Sequence, residues 1–199
     1  MPRIKISPLT LIWLITLIYL KPPYIPQMII AVAMHEAGHL ACAKALGIRV
    51  KSMTLSMLGA RIRCESIPSY GKEFLLAAAG PLAGIALFVI CYLFNKFHVS
   101  EFLLSTGTVS LALAIFNLLP ISSFDGGRMI FCAACSIFSL DKALKISNTL
   151  GFISIFLLWL LSVYLMLKIA SGMAMFVFCS FFFLKRFIFS VKNREFERF

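Results

Sequence analysis

Apolar runs recur along this chain, most of them about twenty residues long, the length a helix needs to cross the hydrocarbon core of a bilayer. They cover residues 8–20, 25–46, 74–94, 102–121, 146–167 and 169–189. Lipid offers no partner to backbone N–H and C=O groups, so such runs must satisfy them internally, as helices. The fold class expected is therefore an all-α polytopic membrane protein with six transmembrane helices. Residues 1–189 read as one membrane domain, and 190–199 as a short basic cytoplasmic tail. Composition sharpens the exclusion: 61% of residues are hydrophobic and 14% charged, against about half and a quarter in soluble domains. A soluble globular protein, a disordered chain and a fibrous repeat are all excluded.

The first run follows Arg3 and Lys5, like the start of a signal peptide. Lys21-Pro22-Pro23 follows it instead of a small-residue cleavage site, so it reads as a retained span. The fourth run is interrupted by Asp125-Gly126-Gly127-Arg128. The apolar stretch beyond it, Met129 to Leu140, is too short to cross unaided. Between the second and third spans the texture changes. Ser52 to Met57 and Ala60 to Cys64 alternate polar and apolar residues on either side of Gly59. Period two around a glycine predicts a small β-hairpin. Its open edges confine it to the membrane edge.

The net charge of +11 is distributed between the apolar runs. With six spans, fifteen Lys and Arg residues fall on the side of the termini and hairpin, and three on the other. That bias places both termini in the cytoplasm and suits contact with anionic lipid. A nucleic-acid partner is excluded, because no soluble basic face remains to bind one. The six cysteines lie mostly within or beside apolar runs, and Cys132 and Cys135 form a solitary CxxC without the second pair that a zinc site needs. They read as apolar packing.

His35-Glu36-Ala37-Gly38-His39 is an HExxH pattern inside an apolar run. On a helix, residues four apart share a face, so both imidazoles can reach one metal ion, and Glu36 stands beside it as acid and base. Ionisable groups within a span are costly to desolvate and mark function. Catalytic zinc takes three protein ligands and keeps one position open. His98, the remaining histidine, lies between two spans on the outer side. Of the eight acidic residues, Asp125 stands out, after an apolar run and before two glycines that let the backbone approach closely. It is the candidate third ligand, with a helix N-cap as its alternative role.

With these residues in view, the chain resembles the site-2 protease family of intramembrane zinc metalloproteases. The resemblance rests on His35-Glu36-Ala37-Gly38-His39, on Ala79-Gly80-Pro81-Leu82-Ala83-Gly84, and on Asn117-Leu118-Leu119-Pro120 leading to Phe124-Asp125-Gly126. It implies Zn2+ held by His35, His39 and Asp125, with Glu36 as catalytic acid and base. It also implies that Asn117 holds substrate or site backbone, and that Pro120 shapes the break together with Gly126. The thirty-four residues between His39 and Phe74 are too few for a PDZ domain, and nothing after residue 189 matches a CBS domain.

The plan is similar to the sporulation subgroup, whose members release a sigma factor from a membrane-tethered precursor. The partners implied are a membrane-associated protein substrate, the lipid bilayer and inhibitory membrane proteins. The membrane implied is the bacterial cytoplasmic or forespore-surrounding one. Alternatives from other classes are a metal-binding transporter using the same histidines and aspartate, and an inactive regulatory relative. The orientation is testable: a reporter fused after Phe199 should read cytoplasmic, and an external signal would overturn it.

Overall fold

A computed structural model describes residues 3–6, 24–56, 59–64, 69–168, 176–177, 179–181 and 183–184. The order is β1 (Arg3–Ile6), α1 (Ile25–Ala45), β2 (Val50–Ser56), β3 (Gly59–Cys64), α2 (Tyr70–Phe97), α3 (Glu101–Asn117), α4 (Asp125–Ile137) and α5 (Leu140–Lys168). Two of these, α2 and α5, are long and apolar enough to cross a membrane, and α3 is a shorter apolar helix. The expected span at 8–20 lies outside the described residues. So does most of the span at 169–189, apart from helical residues between 176 and 184.

Local chemistry sets the helix boundaries. Pro26 sits in the first turn of α1, where a missing N–H costs nothing. At its other end Gly47 adopts φ +69°. Gly47 N–H donates to the Lys44 carbonyl at 3.2 Å, and Ile48 N–H to Ala43 at 2.8 Å. This is the paired six-to-one and five-to-two closure that stops a helix through a left-handed residue. Ile48 then packs on Ala43 and Leu76 and hands the chain to β2. Ser69 caps α2 by accepting from Lys72 N–H at 3.3 Å, and Ser100 caps α3 by accepting from Leu103 N–H. Both caps lengthen what the apolar runs alone suggested: α2 starts at Tyr70 rather than Phe74. In α3, Thr106 and Thr108 donate to carbonyls of their own helix, so their hydroxyls carry no unmet bond into an apolar setting.

The helices pack around α2, which touches α1, α3 and α4, while α5 packs on α4. Small residues make the close approaches, as van der Waals packing requires where no water is displaced. A Cβ on Gly84 would meet the Ala114 methyl at 3.2 Å, and one on Gly107 would meet Cys91 at 3.0 Å. Buried Ser110 donates across the same seam to the Gly84 carbonyl at 2.9 Å.

The three strands form one sheet in the order β1-β2-β3. An all-helical chain carrying only a hairpin therefore needs correcting. The antiparallel pair β2–β3 is joined by β1, parallel to β2, from a segment that sequence reading assigned to the charged head of the first span. The register aligns Arg3–Ser52–Arg63 and Lys5–Thr54–Arg61 in two rows, alternating with Ile4–Met53–Ile62 and Ile6–Leu55–Ala60. Successive rows fall on opposite faces of a pleated sheet.

A Cβ on Gly38 of α1 would stand 2.5 Å from the Ala79 carbonyl oxygen and 2.6 Å from the Ala83 methyl of α2. Neither can swing away. Gly38→Val should destabilise the fold by about 1–3 kcal/mol through overpacking, read as a lower Tm in detergent. Gly71→Ala, whose Cβ meets nothing, should be neutral.

Candidate metal centre

Two elements bring three buried side chains to one point. His35 and His39 lie one turn apart on α1, and Asp125 opens α4; each is less than one-tenth exposed. The His35 Nε2 to Asp125 Oδ2 distance is 3.1 Å, and His39 Nε2 to the same oxygen is 3.2 Å. The two Nε2 atoms are 3.2 Å apart, with ring planes at 85°. Among the described residues this is the one group of His, Cys, Asp and Glu side chains close enough to share a metal ion.

The triangle fits zinc. Ligands about 2.0–2.1 Å from a tetrahedral ion stand about 3.3 Å apart, close to the separations observed. The tautomer fits as well. His39 Nδ1 lies 2.7 Å from the Leu76 carbonyl of α2. A carbonyl can only accept, so Nδ1 holds the proton and the Nε2 lone pair faces into the triangle, the usual second partner of a metal-bound histidine. A divalent cation also offsets the cost of placing a carboxylate and two imidazoles away from water.

The backbone around these groups is arranged for close approach. Pro81, inside α2, supplies no N–H to the ladder. Gly80 beside it presents a bare backbone to both rings: a Cβ there would overlap His39 Nε2 and lie 2.8 Å from His35 Cε1. Between α3 and α4 the chain turns sharply, with Phe124 N–H donating to Ile121 at 2.8 Å. Phe124 is the N-cap of α4 and Asp125 its first helical residue. The aspartate carboxylate therefore turns to the histidines, and the capping alternative does not apply. The Phe124 ring anchors the turn, packed with Ile121 and Ile155 and 5.1 Å from Phe116. Gly126 and Gly127 lie so near the Leu118 and Ile121 carbonyls that a Cβ on either would overlap them.

The other residues singled out by sequence fall as follows. Glu36 is buried on α1 beside His35. Asn117 ends α3 and donates Nδ2–H to Leu113 of its own helix at 3.0 Å. Pro120 lies in the turn, its carbonyl 3.1 Å from where a Gly151 Cβ would be. His98 is exposed and caps α2, outside the triangle. Cys132 and Cys135 are free thiols. Sequence reasoning missed Leu76, because a backbone acceptor has no residue signature. Arg128 and Glu73 carried no site signal in the sequence either. The Arg128 guanidinium stands 3.5 Å from Glu73 and 3.9 Å from the outer oxygen of Asp125. Arg128 and Glu73 are partly exposed, so that ion pair contributes at most about 1 kcal/mol.

The model of peptidase family M50 matches residues 24–100 and 94–161. A zinc metalloprotease of Methanocaldococcus jannaschii is 29% identical over 62% of this chain and 38% of its own length. Stage IV sporulation protein FB of Bacillus subtilis is 29% identical over 68% of this chain and 49% of its own. The match thus spans less than half of each of these two curated relatives. The solved site-2 protease from Methanocaldococcus jannaschii shares the fold, with a TM-score of 0.67 at 21% identity over 92% of this chain and 88% of that one.

Gly80→Ala tests the cradle. A methyl there must push the imidazoles out of the triangle, so zinc affinity measured by chelator competition should fall about 10–100-fold, the range for disturbed ligand orientation. Unchanged affinity would show that the rings have room to move.

Proposed function

The chain belongs to peptidase family M50, and on that premise we propose that it is an intramembrane zinc metalloendopeptidase. The observation that carries this reading is the buried triangle of His35, His39 and Asp125, with the tautomer of His39 fixed by Leu76. In it, His35, His39 and Asp125 hold the zinc ion, and Glu36 is the catalytic base and acid. Bound zinc supplies a Lewis acid that polarises a carbonyl and brings the pKa of a water toward neutrality.

The chain's own groups do the rest. Glu36 takes a proton from the attacking water as its oxygen joins the scissile carbonyl carbon. It returns that proton to the amine nitrogen as the C–N bond breaks. Two hydrogens of water thus end on the new carboxyl and amine termini without a free ion in the apolar interior. Asn117, Pro120 and Gly126 shape the α3–α4 turn that carries Asp125. A helical substrate hides its peptide bonds, so an extended segment is required, and the sheet offers it main-chain partners.

Around this chemistry we place six spans with both termini in the cytoplasm, and a protein substrate that is itself membrane-associated. The likeness to Stage IV sporulation protein FB supports a membrane-tethered sigma-factor precursor as that substrate, with an inhibitory membrane partner holding the enzyme in check.

Glu36→Gln separates protease from metal carrier. Zinc content should stay intact by elemental analysis, while cleavage of a coexpressed tethered substrate drops at least about 100-fold, as loss of a general base requires. Cleavage persisting unchanged would exclude the mechanism. Asp125→Ala should lose zinc, and full occupancy would remove Asp125 from the ligand set.

A further inference from the structure

Arg128 is a cation one helical turn from Asp125 on α4, and the steps of peptide hydrolysis give it no task. Residues three apart on a helix share a face. Asp125 turns Oδ2 to the imidazoles at 3.1 and 3.2 Å, and its other oxygen, Oδ1, to the guanidinium at 3.9 Å. The arginine therefore stands one carboxylate's width outside the triangle. Glu73 of α2 meets it from the other side at 3.5 Å. Glu73, Leu76 and Gly80 recur at helical spacing on α2, and the last two back the imidazoles. One face of α2 thus supports the rings and the arginine together.

Neither contact uses the arginine up. A guanidinium carries a planar fork of N–H donors that matches a carboxylate, and such charge-assisted bonds run at about 2.7–2.9 Å. Among the described residues, Arg128 reaches one carboxylate at the limit of hydrogen bonding and a second beyond it. Its backbone is fixed all the same: Arg128 N–H donates to the Phe124 carbonyl at 3.3 Å, and Phe124 is the clamped residue of the turn. The guanidinium is partly exposed, whereas His35, His39 and Asp125 are buried. A held but underused cation thus stands where the buried site meets its surroundings. Hydrolysis of a peptide bond turns a neutral amide into a carboxyl group and an amine. The new carboxyl ionises well below neutral pH and gives its proton to water. It is then a further anion beside Asp125 and Glu36, and a cation at hand offsets the cost of holding it there. We propose that Arg128 is a carboxylate-binding site, whose unengaged donors take the new C-terminal carboxylate of the cleaved protein. This rests on the protease reading for the source of that carboxylate. It adds a group that tells product from substrate, because the uncleaved bond carries no charge.

The test reads binding rather than cleavage. The zinc-loaded full chain carrying Glu36→Gln is reconstituted in nanodiscs of neutral phosphatidylcholine. Two fluorescent apolar peptides of one sequence serve as probes, one ending in a free carboxylate and one in a carboxamide. Zinc itself favours a carboxylate, so the decisive quantity is the change in preference when Arg128 alone is altered. Arg128→Gln should cut the preference for the carboxylate about tenfold, the scale of one charge-assisted hydrogen bond. Amide binding and zinc content should stay as they were. Arg128→Lys keeps the charge without the fork and should retain part of the preference. Glu73→Gln removes the competing carboxylate and should tighten binding of the carboxylate peptide alone, a gain that a misfolded site cannot produce.

The proposal is overturned if Arg128→Gln weakens both peptides equally, which would make the side chain structural. Loss of zinc from that variant also overturns it, by making Arg128 a positioning residue for Asp125. So does a preference that vanishes in the parent chain when phosphatidylglycerol is added, which would make Arg128 a lipid-phosphate contact. An Arg128-dependent preference in a chain whose Glu36 proves dispensable for cleavage would sink the protease reading and leave the carboxylate site standing. Glu36-dependent cleavage without that preference would do the reverse.

Discussion

Three polar groups meeting within about one hydrogen-bond length, away from water, set the terms for everything around them. A carboxylate and two imidazoles lose hydration when they are buried, and only mutual contact or a shared cation offsets that loss. The meeting point is made by α1 and α4, whose contributing residues are 86 positions apart in sequence for His39 and Asp125, with α2 holding the rings from behind. No single helix could build it. The small residues at the seams follow from this requirement. Gly38 lets α1 lie against Ala79 and Ala83, Gly80 leaves space for the rings, and Gly126 and Gly127 let the start of α4 tuck under the α3–α4 turn. Each gives up a side chain so that a backbone can come close.

The turn before Asp125 shows the same economy of space from the other side. Phe124 is large and buried, and its ring is clamped by Ile121, Ile155 and Phe116. An anchored N-cap fixes where the first helical residue begins and hence where its side chain points. A metal ligand on a free loop would lose orientational entropy on binding; one at the start of a pinned helix has lost it already. Arg128, one turn on, adds only a weak and partly exposed contact, so apolar packing rather than charge steadies the carboxylate.

Much of the site was legible in the sequence because its parts violate their surroundings. His35, Glu36 and His39 interrupt an apolar run at helical spacing, and Asp125 is an acid that follows an apolar run and precedes two glycines. What stayed illegible was of two kinds. The Leu76 carbonyl that orients His39 belongs to the backbone, and any residue would supply it. Gly80 was visible within Ala79–Gly84, but its purpose depends on where α1 lies. The strand β1 was hidden for a different reason. Four residues alternating basic and apolar before an apolar run look like a membrane-targeting head, and a parallel pairing with residues 52–55 leaves no local trace. Helix ends drifted because caps such as Ser69 and Ser100 sit outside the apolar runs.

The β1–β2 pairing also governs the order of events as the chain is made. Residues 3–6 leave the ribosome before their partners at 52–55, which appear only after the whole of α1. Local helices form in about microseconds, while a contact across so many residues must first close a long loop. The sheet is thus a late event. Until β2 arrives, residues 3–6 hold backbone groups without their strand partner. Pairing with β2 withdraws that strand from other contacts, and it waits on the synthesis of the helix that carries the histidines.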